Sequence, residues 1–562
     1  MSADQRAFYA ANHSSLARRD SSLAARVERS SPDSRIGFVA ARNGMVVPSL
    51  RNGAITVPFQ SLYDPSREAE RLSESFGEDG CFVLFGLGSG HLAGKLLDKP
   101  STYAVIVVER SPEVLRALME NLPLRQVLDD PRVFLIVDLP AIQPAILRAW
   151  HPVLMAGIRT SPLRPWCDAE PEYFRAAAAM VQAGVESTRG DYGVQAHFGK
   201  RWMANILANL EQAQRAKASP LPLTAARVTA AGPSLDTQLT RLRDAPDEGA
   251  LIATDTTLPM LVRFDIVPEA VISIDCQNHG FRHFLPGLPP STMVVLDLAS
   301  PPVLARQSTN TVFIRSGHPF VSYLDAKWKG FPAVDTSGGN VTHAAISLAN
   351  QWGAGRITLY GADFSYPNGK SYARGTYLYD FFQLKENRLS PVEAGFYAFL
   401  FRSPDIHRVK TPSGWRYESP LFTLYRDRLV VMMHAMDSAV IPILGPGLPI
   451  PQWNPPSMHA PADRPSSAWK PSSSLCDWKE FLSDYAEKLA KLSGFSSSPG
   501  RFFAQLNDSD RQLWTTLLPV AARCSFEPGG PLPGPAALEA AREWAMSRSR
   551  RAVQRSSPPL PS

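Results

Sequence analysis

Cysteine is scarce in this 562-residue chain, and what there is does not pair. Cys81, Cys167, Cys276, Cys476 and Cys524 stand far apart, with no C-x-x-C. An odd number with no zinc or disulfide spacing leaves no disulfide framework and suits reduced thiols of the cytosol. Long apolar runs are missing too: no stretch of about 18 apolar residues occurs, which argues against a spanning helix. The N-terminus, MSADQRAFYAANHSSLARRD, lacks the apolar core of a signal peptide, so the expected location is cytoplasmic. Strong charge of one sign is also absent. The net charge is +6, and its visible clusters are Arg18–Arg19 and SRSRRAVQR at 547–555. These read as solvated basic surface, and no nucleic-acid partner is expected.

What is present is ordinary globular sequence, 44% apolar and 20% charged, long enough for three or four domains at roughly 150 residues each. Proline is the exception. Many of the 50 prolines fall in GPGLPIPQWNPPSMHAPADRPSSAWKPSS at 445–473, which cannot hold a helix or an inner strand and reads as an extended linker. The expected organisation is a hairpin and helix region at 1–75, a Rossmann-like N-terminal domain at 76–160 and a helical connector at 161–220. A larger α/β domain at 221–440 follows, then the linker at 441–474, a helical region at 475–550 and a disordered tail at 551–562.

Residues 44–58 read as a hairpin around Arg51-Asn52-Gly53, and 61–76 as a helix with Asp64 as N-cap and Pro65 at its first position. The strand CFVLF runs into Gly86-Leu87-Gly88-Ser89-Gly90, and the strand YAVIVVER ends at Glu109. A glycine turn followed about 20 residues later by an acid is the nucleotide-ribose arrangement of a βαβ unit. The third glycine falls early, so a purely structural β-turn-α stands beside that reading.

Residues 227–363 are clearer. RVTAAGPSL, GALIATD, EAVISID, TMVVLDLAS, TVFIRSG and RITLYGADF read as successive strands separated by short helices. Such alternation implies a mostly parallel sheet covered by helices, with ligands taken beyond the carboxyl ends of the strands. Those ends carry Gly232-Pro233-Ser234, Asp255, Asp275 and Asp363. No D-x-D pair stands at them, so a divalent metal is not favoured and no metal ligands are assigned.

The stretch TSGGNVTHAAISL, 336–348, places Ser337, Gly338 and Gly339 before a helix capped by Asn340. Free amides at a glycine-flanked helix start favour an anion; an ordinary capped helix explains the same residues. His343 in the first turn is within reach of a phosphate or hydroxyl, or is simply structural. In YGADFSYPNGKSYARGTYLYDFF, Tyr366, Tyr372, Tyr377 and Tyr379 with Lys370 and Arg374 surround a Pro-Asn-Gly turn. Phenols and a guanidinium can bind phosphate oxygens without a metal.

AGPSL, ATDTTLPML, VPEAVISID, GGNVTHAA and ITLYGADFSYPNGKSYARGT, in that order, resemble the motility-associated factor (Maf) flagellin glycosyltransferases. The central domain of that family is described as 6-hydroxymethylpterin pyrophosphokinase-like, MptE-like or DUF115. SLYDPSREAE and the GLGSG turn resemble the family's amino-terminal region, so the likeness covers roughly residues 40–430. The central domain is also similar to GT-A-like bacterial sialyltransferases that use CMP-sialic acid, although the usual Gly-Gly-Ser reads Gly338-Gly339-Asn340 here.

The fold so implied is α/β: a Rossmann-like parallel sheet, a smaller N-terminal α/β domain and a C-terminal helical region. The implied activity is transfer of a nonulosonic acid (pseudaminic, legionaminic or sialic type) from a CMP donor to Ser or Thr of flagellin. No cofactor would be tightly bound. His343, Tyr372 and Asp363 would be catalytic, with His407 a second candidate base. Gly232, Pro233, Ser234, Asp255, Asp275, Ser337, Gly338, Gly339, Asn340, Tyr366 and Arg374 would hold the donor. A pyrophosphokinase using ATP and Mg²⁺ on a pterin alcohol, or a non-catalytic flagellin-binding protein, are the alternatives.

Overall fold

Short apolar runs closed by glycine or an acid become the inner strands of two parallel sheets, one in each of two units of the chain. The computed structural model describes residues 2–155, 157–216, 221–403, 405–412, 414–455, 473–494, 499–526 and 534–554. Half of the expected linker (456–472) and residues 555–562 of the expected tail lie outside the described residues.

The first unit comprises Met1–Gly199 with Ala490–Trp544. It opens with two helices, Ala3–Arg19 and Ser21–Arg29, the first closed by a reciprocal cap between Ser2 and Gln5. β1 (Ile36–Ala40), β2 (Val46–Asn52) and β3 (Ile55–Pro58) form an antiparallel meander. The hairpin read from sequence is its β2–β3 half. Asp64 caps the helix Pro65–Ser75 by accepting from the N–H of Ser66 and Arg67. β4 (Gly80–Phe85), β5 (Ala104–Val108), β6 (Val133–Ile136) and β7 (Gly157–Pro162) then make a parallel sheet in the order β6-β5-β4-β7.

The glycine turn after β4 holds itself together. Glu109 is fully buried, and its carboxylate accepts from the N–H of Leu87 at 2.9 Å and of Arg110 at 2.8 Å. The space beside Gly88 is taken by the Gln60 side chain. The hollow at this strand end is only about 20 Å³, walled in part by Trp166, Tyr173 and Phe174, far below the roughly 300–1,000 Å³ of small-molecule sites. The acid that resembled a ribose ligand is a turn anchor.

The second unit comprises Lys200–Leu489 with Ala545–Ser562. β8 (Ala225–Thr229), β9 (Ala250–Thr254), β10 (Ala270–Ser273), β11 (Met293–Asp297), β12 (Thr311–Ile314) and β13 (Arg356–Tyr360) alternate with helical turns. After β13 come the short β14 (Tyr366–Pro367), β15 (His407–Thr411) and β16 (Gly414–Glu418), an antiparallel trio ordered β14-β16-β15. β17 (Ala439–Pro442) returns to the main sheet, which is parallel throughout in the order β12-β11-β10-β9-β8-β13-β17. Ile252, Ile272, Val295 and Ile314 are buried in its core with Ala344, Ala345 and Leu348 of the helix Val341–Gln351. Burial on both faces is why these strands read as continuous apolar runs. The linker reading fails at its start: Ile441 and Pro442 belong to β17, an edge position that tolerates proline. No helix among the described residues is long and apolar enough to cross a membrane.

Candidate functional site

The order of strands in the large sheet reverses between β8 and β13, the switch point where open α/β sheets commonly take ligands. Here the chain itself occupies the crevice. Asp363, 4% exposed, follows β13, and its carboxylate accepts from the N–H of Ser234 at 2.8 Å. Its main chain binds the segment after β17, with the Leu448 N–H on the Asp363 carbonyl oxygen at 2.8 Å. A side chain at Gly232 would strike the Gly361 carbonyl oxygen; one at Gly445 would meet Ser234, and one at Gly447 the Asp363 main chain. Pro233 and Ser234 are buried. The roles expected of Asp363 in catalysis and of Gly232–Ser234 in phosphate binding are therefore corrected. The Ser234 amide is spent, and these residues latch a strap, 443–448, over the strand ends.

The glycine turn before the helix Val341–Gln351 is capped as expected, Asn340 accepting from the N–H of Thr342 and His343. The glycines, however, make room for side chains of this chain. Gly339, at φ +90°, faces the Tyr425 ring 2.6 Å from where a Cβ would stand, and Gly338 lies against the His343 ring. The Gly339 N–H is used on the Thr336 carbonyl oxygen, and that of Ser337 on Asp335. His343 is wholly buried, with Nδ1 2.9 Å from Asn340 Oδ1 and Nε2 3.0 Å from the Tyr425 carbonyl oxygen. Burial pushes it down to about 4, against the pull of the Tyr425 carbonyl. The neutral ring donates to one of these two acceptor oxygens and abuts the other, and wholly buried between them it has no face for a substrate proton, which corrects its reading as a base. His407 is exposed and 3.6 Å from Glu418.

The polar groups gather one step along, beyond β9 and β10. Asp255 accepts from the Thr256 N–H at 2.7 Å and from the Ser273 hydroxyl at 2.6 Å. Asp275 reaches solvent and accepts from the Gln277 N–H at 2.8 Å. Desolvation of its inner side raises its carboxyl; nearby Asp255 adds to that rise and His283 opposes it. Above them stands Tyr372, its hydroxyl pushed up to about 12 by burial first and then by Tyr366, Asp255 and Tyr377. Arg282 donates to the Tyr377 hydroxyl at 3.1 Å, and the His283 ring meets Tyr377 edge-on at 5.3 Å. His283 Nδ1 is buried with no hydrogen-bond partner among the described residues.

The Tyr366 ring lies tilted against Phe422 at 4.9 Å, and Phe422 lies 6.3 Å from Tyr425 over Gly339. Two aromatic rings, Phe422 and Tyr425, thus lead from Tyr366 to the glycine turn. Arg374 is exposed, its N–H on Asp236 and its guanidinium 6.0 Å over the Tyr379 ring.

Arg282 and His283 are the residues that sequence reasoning missed. The signal was the spacing of His279 and His283 just after the strand end at Asp275. Among the described residues no three His, Cys, Asp or Glu side chains gather as metal ligands.

Residues 200–369 match the family described as 6-hydroxymethylpterin diphosphokinase MptE-like. Two uncharacterized proteins of Treponema pallidum (strain Nichols) are similar to this chain. One is 36% identical over 148 residues, 26% of this chain and 52% of that protein. The other is 32% identical over 136 residues, 24% of this chain and 64% of that protein. The chain thus spans from about half to just under two-thirds of these relatives. A solved structure, a MAf glycosyltransferase from Magnetospirillum magneticum AMB-1, aligns over 98% of this chain and 95% of its own, with a TM-score of 0.55 at 13% identity. At that identity the likeness is one of fold.

Proposed function

The chain carries an MptE-like domain within the fold of a Maf glycosyltransferase, and from that premise we propose that it is itself a glycosyltransferase. Its donor would be a CMP-activated nonulosonic acid and its acceptor a Ser or Thr hydroxyl of flagellin, with the reaction in the cytoplasm. The observation that carries the reading is one convergence: Tyr366, Tyr372 and Tyr377, the Arg282 guanidinium and the half-buried His283 ring, all beyond β9 and β10.

Breaking the bond from sugar to phosphate leaves charge on CMP, and preorganised donors aimed at developing charge are the strongest lever an enzyme has. Tyr372, held protonated by its raised pKa, remains such a donor throughout the neutral range. Arg282 adds a fixed cation beside Tyr377. As the acceptor oxygen attacks the sugar, its proton passes to His283, and Asp275 stabilises the resulting imidazolium. Asp255, fixed by Thr256 and Ser273, is a rigid acceptor for a donor hydroxyl.

Incubating the purified chain with CMP-nonulosonate and flagellin, then weighing flagellin peptides by mass spectrometry, tests this. Mass addition at Ser or Thr is expected for wild type, with loss on the order of 10²-fold for His283→Ala. No addition and no CMP release by wild type would end the reading.

The matched domain's description and the neighbouring Asp255 and Asp275 favour one second reading, transfer of pyrophosphate from ATP to a pterin alcohol. Those two carboxylates would hold its Mg²⁺, which would neutralise charge on the transferring phosphates. ATP-dependent product formation abolished by EDTA would support this alternative; sugar transfer insensitive to EDTA would support the first.

A further inference from the structure

The sheet of the first unit has nearly no space at its carboxyl end, yet a cavity of about 680 Å³ opens at its amino end. The approaches to β5, β6 and β7 contribute Tyr103, Arg132 and His151, and the C-terminal segment contributes Phe503, Arg511 and Leu518. The volume falls within the roughly 300–1,000 Å³ of preformed small-molecule sites. Leu16, Leu128, Leu135, Leu154 and Met155 make much of its wall apolar.

Its charges are not balanced. Arg19 is committed to the carbonyl oxygens of Leu128, Pro131 and Val133, and Arg132 to those of Leu97 and Thr102 and to Asp130. Arg148 has no acid partner among the described residues and lies 5.2 Å over the Phe134 ring. Among the described residues the Arg511 guanidinium meets the carbonyl oxygens of Ala504 and Leu506 and no acid. Asp20, the one lining carboxylate among the described residues, caps a helix through the Leu23 N–H. Burial holds His151 neutral and the Tyr103 phenol protonated, and the ring polar atoms of both are without hydrogen bonds among the described residues.

From this pairing of apolar wall and uncompensated guanidinium we propose that the cavity binds an amphipathic anion, an alkyl or isoprenoid body with a carboxylate or phosphate head. The body lies against the leucines and Met155. The head meets Arg148 and Arg511, whose planar forks suit either oxyanion. The site is independent of the proposed transfer reaction.

Calorimetric titration of the full chain with dodecyl phosphate, dodecanoate and dodecanol below their micellar concentrations tests it. Saturable binding of at least one anion is expected, about tenfold or more tighter than dodecanol, and comparison of the two anions identifies the preferred head. Arg148→Glu and Arg511→Glu should each weaken anion binding about tenfold without changing that of dodecanol, and Leu154→Trp, which fills the cavity, should abolish all three. The two rim variants keep the test valid if Leu154→Trp misfolds. No binding of either anion, equal affinity for the alcohol, or wild-type affinity in both rim variants would overturn the proposal. So would sedimentation with anionic vesicles without binding of either monomeric anion.

Discussion

Burial acts on Tyr372 and His343 in opposite senses. The Tyr372 hydroxyl, pushed up to about 12, stays a donor, so Tyr372→Phe should cut transfer by on the order of 10²-fold while its thermal melt matches wild type. A steady-state assay of CMP release checks this. His343 takes a proton near pH 6.5 in the unfolded chain but only near about 4 in the fold. Between those values the unfolded state holds the extra proton, so stability falls as pH falls, by at most about 3 kcal/mol. Above that window the group contributes no slope. Asp297, raised to about 6 by burial, acts in the opposite sense, so the test is a difference. Urea unfolding from pH 7 to 4.5 should show a shallower loss for His343→Gln than for wild type; equal slopes would refute the assignment. At this scale the sequence was legible where a side chain acts on its own neighbours, as with the caps at Asp64 and Asn340. It misled at Asp363 and His343, because a polar residue at a strand or helix end reads the same whether it faces a ligand or another part of the chain.

The strap over β8 and β13 is the element that redirects the site. Gly447 packs against the Asp363 main chain with no room for a methyl, so Gly447→Ala should cost about 1–3 kcal/mol, read as a lowered melting temperature. Gly339→Ala combines a φ of +90° with the nearby Tyr425 ring and should lose a comparable amount; an unchanged melt in both would mean the turns are looser than described. Six strands of the large sheet were visible because burial on both faces leaves uninterrupted Val, Ile and Leu. β17 was not, since prolines crowd its flank, nor were β14–β16, whose aromatic and cationic residues form no apolar run. The helix Ala3–Arg19 was passed over because alanines and polar residues dominate it.

Across the whole molecule, the two parallel sheets place their space differently: the first is closed where nucleotides usually bind and open at the other end, and the second gathers its polar groups beyond β9 and β10. The account therefore expects nucleotide to act on the second unit alone. Hydrogen–deuterium exchange of the full chain with and without CMP is the most direct measurement. Protection should appear at 254–257, 275–284 and 366–377 and be absent at 86–91. Protection confined to the GLGSG turn, or none anywhere at saturating CMP, would contradict the central claim.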